Sequence, residues 1–514
     1  MNRLLNSPQL NRLRDFMMTG KYMMLLFAVG AVFAAFEWNV AGVLVFACII
    51  SATLVICEDL LATFMPFMIT CLIAAKCYNS YSTFIQYKSL GVIIALCLIA
   101  HFVLYWKKPD TKGALTKPMI FVSIAVVLGG VGFISKEEYF SPVSLFYILT
   151  LGFAMVVLYW MFYTYLTVRR DYSLIEKVTL IMVIAGCFAS FVTIAFYMMN
   201  IDEVIETRDL LYMQWRNNYS TFLMLSIPFA FLRGHKKPYS IMLGFFFYFC
   251  ILLTGSRGGL VFGAVEMAMC CLLFILYDKR RRLTYIAICA CLAFALLIFS
   301  REFFSFFGST FDRLLSAING VLIGEQQEVR YYQYIRGIQD FLNNPILGTG
   351  IGYMGNRDVY AGADFSIAWY HCELIQIPAS FGIVGIAAYA YQFIKRNILL
   401  WKKPTMFNMT VFLSYISLEL MSLVNPGIFS PIPYLLIVTM FFAIVERCNV
   451  GTVQKIISTK SSDKSEEDDE LEGTALPEAT DTTSEAQPSK ATEKKNAETE
   501  PEKVSVGAPK DADE

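Results

Sequence analysis

The sequence predicts an all-α protein: a polytopic transmembrane helical bundle of about 12–14 spans, with one large outer loop containing short helices. Three observations lead there. The chain is 56% hydrophobic and only 16% charged over 514 residues, with a mean hydropathy of +0.54, too little charge for a water-soluble domain. Apolar runs of about 17–25 residues recur, each long enough to cross a hydrocarbon core of roughly 30 Å. In lipid, backbone amides must find partners within their own segment, so such runs are helices.

The expected spans lie near 22–36, 40–56, 60–75, 89–106, 118–134, 143–167, 178–199, 217–232, 239–255, 258–277, 284–300, 374–394, 406–424 and 430–446. The first three are short, and Glu58-Asp59 makes a poor loop between two of them. Lys and Arg bias sets orientation. With the N-terminus inside, Lys107-Lys108, Arg169-Arg170, Arg233 with Lys236-Lys237, Lys279 to Arg282, and Lys395-Arg396 with Lys402-Lys403 all fall in inner loops. The opposite loops are poorer in basic residues. Both termini are therefore expected in the cytoplasm, and the protein in the plasma (inner) membrane.

This gives a bundle of about 11 spans over 1–300, a large extracytoplasmic loop over 301–370, C-terminal spans over 371–448, and a disordered acidic cytoplasmic tail over 449–514. The formal net charge is zero, but about 17 of the 42 acidic residues and only about 8 of the 42 basic ones lie beyond Gly451. The membrane body is thus near +9, which suits anionic lipid. The 13 cysteines sit mostly in apolar runs, where they act as small hydrophobes; their spacing offers neither a zinc site nor a disulfide framework. Met1 to Gly20 lacks the small-residue cleavage site of a signal peptide. Nothing points to nucleic acid.

Within the large loop, Tyr331, Tyr334, Ile335, Ile338, Phe341 and Leu342 follow helical spacing, so 328–341 is expected to be an amphipathic helix. Asn343-Asn344-Pro345 stops it. The run Gly348-Thr349-Gly350-Ile351-Gly352 is expected to be a flexible turn that lets backbone approach something closely; it is no dinucleotide fingerprint, since no strand precedes it.

On this topology Arg216, Arg257, Arg330 and His371 all reach the outer side at or near span ends. Guanidinium groups match phosphate oxygens bidentately. Imidazole, with a pKa near neutrality, accepts a hydroxyl proton. Each residue also has a plainer reading. His371 would serve as an interfacial anchor, Arg257 would snorkel to lipid phosphates, Arg330 would pair with Glu328 or Asp340, and Arg216 would pair with Asp209. Glu266, inside an apolar span, is costly in lipid; it is read as a protonated acid bonded to a neighbouring helix.

Three pieces of the chain resemble the O-antigen ligase/polymerase superfamily of bacterial membrane glycosyltransferases. Leu253-Thr254-Gly255-Ser256-Arg257-Gly258-Gly259 is similar to the family's Thr-x-Ser-Arg-Gly signature. Arg330, then a helix and Asn344-Pro345-Ile346-Leu347-Gly348-Thr349-Gly350-Ile351-Gly352, is similar to its Pro-Leu-Leu-Gly-x-Gly-x-Gly run. His371-Cys372-Glu373-Leu374-Ile375-Gln376, followed by Gly382-Ile383-Val384-Gly385, is similar to its His-Asn-x-x-Leu and Gly-Ile-x-Gly, with Cys372 where asparagine is usual. Order and spacing agree over about 210–395.

The resemblance implies that Arg257 and Arg330 hold the pyrophosphate of an undecaprenyl-diphosphate-linked glycan, and that His371 activates the acceptor hydroxyl as base or orients it; Arg216, from its place on the outer side, is a further candidate for the pyrophosphate. The expected enzyme is an inverting polymerase or ligase using a glycan or lipid acceptor at the outer face. No cofactor and no metal are expected, because arginines neutralise a leaving group that is already good. Two rivals stay open: a lipid-linked oligosaccharide flippase, and a peptidoglycan-type polymerase using Asp340, Asp358 or Asp364.

Overall fold

The computed structural model describes residues 7–77, 88–132, 142–166, 174–323, 329–351, 369–425 and 432–449, all within one compact unit, Met1–Leu476. The expected tail, and with it Glu328, Asp358 and Asp364, lies outside these residues. The helices are α1 Pro8–Met17, α2 Gly20–Ala35, α3 Asn39–Ile56, α4 Phe64–Lys76, α5 Lys88–Leu104, α6 Thr116–Gly130, α7 Pro142–Tyr147, α8 Met155–Tyr165, α9 Leu174–Met199, α10 Ile201–Thr207, α11 Arg216–Lys236, α12 Tyr239–Leu253, α13 Arg257–Tyr277, α14 Arg282–Ile298, α15 Ser300–Ile323, α16 Val329–Asn343, α17 Glu373–Trp401, α18 Met406–Ser422 and α19 Ile432–Asn449. A π-helical stretch, Ile148–Ala154, joins α7 to α8. The described residues contain no β-strand. The protein is all-α and polytopic.

Each expected span coincides with a helix, but the helices differ in how well they suit lipid. Five are long and apolar enough to cross alone: α3, the continuous run Ile148–Tyr165, α9, α13 and α17. The count reaches seven if the bent pairs α1–α2 (67°) and α14–α15 (84°) each make one span. The rest are shorter or more polar. The reason shows best in α11, buried nearly throughout from Tyr219 to His235. It packs against α9, α12, α13 and α18, so its surroundings are protein rather than lipid. Its hydroxyls return to backbone: Thr221 Oγ1 donates to Asn217 O at 2.8 Å and Ser226 Oγ to Phe222 O at 3.0 Å. The doubtful turn at Glu58-Asp59 is held by Asp59, whose carboxylate accepts from Leu61 N at 2.9 Å, and by an ion pair from Glu58 to Lys107 at 2.7 Å.

The glycine run makes the close backbone approach expected of it, but it is held by hydrogen bonds from Gly348 to Ile351 rather than left flexible. Residues 345–350 run alongside a break in α17, where Gly382 has φ +63° and ψ −158°. In an unbroken helix Ile383 N would donate to Ala379 O and Val384 N to Ser380 O. Here the four groups exchange partners. Ala379 O accepts from Thr349 N (2.8 Å) and Ser380 O from Gly350 N (3.2 Å), while Ile383 N donates to Pro345 O (2.8 Å) and Val384 N to Ile346 O (3.3 Å). Two lost helical bonds are replaced by four bonds between segments, so the groups freed by the break keep partners. Backbones this close exclude a Cβ. One built on Gly348 would meet Ser380 C at 2.3 Å, and one on Gly382 would meet Ile346 O at 2.3 Å. Ile351 N donates to Gly130 O at 3.0 Å, fixing the same strip to α6.

The inner-loop assignment of Arg396 is corrected. α17 runs on to Trp401 and buries Arg396 at 4% exposure. The guanidinium lies 3.8 Å from Glu419 Oε1 and over the rings of Tyr415 and Phe442. Glu373 interacts with both Glu419 and Arg396. The sequence reading counted a basic cluster and missed that the stem of Arg396 reaches back into the bundle. Removing one partner of such a group strands a buried charge at a cost of about 3–5 kcal/mol. Arg396→Ala should therefore melt well below wild type, and Arg396→Met with Glu419→Met should recover part of the loss. Equal melting temperatures for the single and double variants would refute the pairing. Glu266 is likewise buried, at 1% exposure, and faces Ser417 of the neighbouring α18.

Candidate active site

Four helix starts define the site. Arg216 opens α11 and Arg257 opens α13. Arg330 is the second residue of α16. His371 stands just before Cys372, the N-cap of α17. The first turns of α11, α13 and α16 contain no acidic residue. The positive ends of three helix dipoles are thus reinforced by arginine rather than offset by carboxylate.

Local chemistry explains why these starts coincide. Gly255, at φ +65°, turns the chain between α12 and α13. Ser256 caps α13, its Oγ accepting from Gly259 N at 3.2 Å. The same hydroxyl donates to Asn217 Oδ1 at 2.9 Å, and Asn217 Nδ2 donates to Asn425 Oδ1, beyond α18, at 3.2 Å. The starts of α11 and α13 are therefore joined through residues adjacent to Arg216 and Arg257. Tyr434 Oη donates to Asn218 O at 2.6 Å, adding α19.

On the other side, α16 packs against the start of α17. A Cβ on Gly337 would meet Ile375 Cγ2 at 2.3 Å. Buried Asp340 accepts from Tyr370 Oη at 2.5 Å. Tyr370 N donates to Gln376 Oε1 at 2.9 Å, and Gln376 Nε2 to Ser380 Oγ at 2.7 Å. This network fixes the residue beside His371 and occupies Asp340 structurally, which the peptidoglycan-type reading would have used for chemistry. His371 itself holds a left-handed backbone, φ +52°, which costs a non-glycine residue about 1–2 kcal/mol. Its Nδ1 is buried without a hydrogen-bond partner among the described residues. Cys372, the N-cap of α17, makes no side-chain capping bond.

Arg216, Arg330 and His371 lie within electrostatic reach of one another, and Arg257 approaches them through Arg313, to whose backbone carbonyl its Nη1 donates. The Arg330 guanidinium acts electrostatically on both Arg216 and His371. Burial first, and then Arg330, push the His371 imidazole down to about 4, so the ring is neutral at pH 7. Burial, with Arg313 and Arg330 nearby, lowers Arg216 despite an opposing effect of Tyr212. Arg216 stacks on Tyr212, its guanidinium carbon 4.4 Å from the ring centroid. Among the described residues Arg216 does not pair with Asp209, nor Arg330 with Asp340: Asp209 accepts from Ser309 Oγ at 2.5 Å and Asp340 from Tyr370 Oη, while Glu328 lies outside the described residues.

Sequence reading missed Arg313. It lies on α15, a 24-residue helix where only an outer loop with short helices was expected. The signal was present: Phe303, Phe307, Thr310 and Leu314 follow helical spacing, but the charges between them keep any hydropathy window low.

No curated protein and no solved structure matches the chain. Residues 241–390 match the family model described as O-antigen ligase, a stretch that carries Arg257, Arg313, Arg330, His371 and the broken α17 and leaves Arg216 outside. Over this stretch the match supports the resemblance to the O-antigen ligase superfamily that the sequence motifs suggested.

Proposed function

We propose that the protein moves a glycan from undecaprenyl diphosphate to the hydroxyl of a glycan or lipid acceptor at the outer face of the plasma membrane. The observation that carries this reading is the gathering of Arg216, Arg257 and Arg330 at three helix starts without acidic residues, beside a neutral imidazole. Helix N-termini and guanidiniums together make a phosphate site. The acceptor oxygen attacks the anomeric carbon as the carbon–oxygen bond to the diphosphate breaks. His371 takes the hydroxyl proton, and the arginines neutralise charge growing on the departing diphosphate. A single displacement inverts the anomeric centre. The guanidiniums supply the positive charge, so the reaction needs no divalent ion.

The test uses purified protein in liposomes with a lipid-linked repeat unit as donor. Arg257→Ala and Arg330→Ala should each lower glycan transfer by about 10²-fold, Arg→Lys should retain part of it, and EDTA should leave wild type active. Passage of donor across the bilayer without a new glycosidic bond would instead support the flippase.

The acid limb of the pH profile follows from His371. A lowered imidazole pKa keeps the base form present down to about pH 4, instead of losing it near the ordinary 6.5. Folded-state protonation is disfavoured, so the stability contributed by the neutral ring falls as pH drops from 6.5 towards 4. Diphosphate bound beside Arg330 offsets that guanidinium, which after burial is the second cause holding the imidazole down. The acid limb of kcat/KM, which reports the free protein, should therefore fall near pH 4, and that of kcat at a higher pH. Coincident limbs near 6.5 would remove Arg330 from this role.

A further inference from the structure

We infer that Arg313, on α15, is a fourth guanidinium of the diphosphate site, a residue that binds donor directly; this rests on the proposed function. Several observations place it there. Arg257 Nη1 donates to the Arg313 backbone carbonyl at 3.1 Å. A Cβ on Gly255, in the turn before Arg257, would sit 3.6 Å from Arg313 Nη2. The Arg313 charge is felt by Arg216. Its guanidinium is exposed and uses Nη2 on Thr310 Oγ1 at 3.1 Å and Nε on Ser309 O at 3.3 Å, which leaves donors free for an incoming anion.

α15 suits the task. It bends 84° from α14 and exposes Phe304, Leu315 and Ile318, the character of a helix lying in the membrane interface. Ser309 fixes it to Asp209, while the Arg257–Arg313 bond fixes it to the start of α13. Among the described residues no ion pair joins Arg216, Arg313 or Arg330 to a carboxylate. Like charges held this close repel, and the arrangement is stable when an anion lies among them. A lipid diphosphate supplies that anion at the depth where α15 rests.

The test measures binding of undecaprenyl diphosphate to the full-length protein in nanodiscs, at several salt concentrations. Arg313→Ala should weaken binding about tenfold or more and flatten its salt dependence, and Arg313→Lys should recover part of the loss. Arg301→Ala, on the same helix and also exposed, should change neither. Affinity unchanged in Arg313→Ala, or weakened equally by Arg301→Ala, would overturn the assignment while Arg257→Ala still weakened binding. Failure of wild type to bind any lipid diphosphate would overturn the proposed function and this inference together.

Discussion

Gly348→Ala should leave little folded protein. The new methyl would lie 2.3 Å from Ser380 C and 2.4 Å from Phe381 N, both backbone atoms that cannot swing aside. Gly348 also has φ +75°, where a Cβ costs about 1–2 kcal/mol by itself. Relieving the overlap means prising residues 345–350 from α17 and losing the exchanged hydrogen bonds, each worth about 1 kcal/mol and more when their partners stay buried. A total above about 3 kcal/mol is large against the 5–15 kcal/mol that holds a typical protein folded. Gly91→Ala is the control: it is helical, and a Cβ there meets nothing within 4 Å, so it should be neutral or gain up to about 1 kcal/mol. Thermal melting in detergent with size-exclusion chromatography reads both. If Gly348→Ala melts with wild type, the broken-helix pairing is wrong.

His371→Ala should cost about 10²–10⁴-fold in glycan transfer, the range for a positioned general base. Binding of undecaprenyl diphosphate should change little, because the arginines stay in place. His371→Gly separates chemistry from fold. Glycine relaxes the positive φ of 52° and should melt no lower than His371→Ala, yet be equally inactive. That combination is expected where a strained backbone is kept for its side chain. Full activity in either variant would take the base role from His371 and return it to the anchoring role open to any interfacial histidine.

Much of the architecture was legible because the bilayer permits few solutions. A run too long for a core strand and too apolar for water must be a helix, so each expected span found one. The helix over Val329–Asn343 was equally legible from spacing. Ser300–Ile323 was not, since its apolar residues occupy one face and its charges the other. Arg396 was misplaced for a related reason. Counting basic residues sets orientation, but it cannot say which of two neighbouring cations turns inward to Glu419.

The site divides the same way. The chemical kinds were readable: arginines and one histidine at span ends, with a glycine run between. The sequence by itself determined that this chain is a bundle of helices and which residue types were available for anion binding and proton transfer, because hydrophobic length and side-chain chemistry are local properties. Only the tertiary structure decided that Ser256 bonds Asn217 and so joins Arg216 to Arg257, that residues 345–350 repair a broken α17, and that α15 brings Arg313 to the same place. Those outcomes rest on hydrogen bonds and close contacts between segments 30 to 58 residues apart, where no period or propensity within a window carries the information.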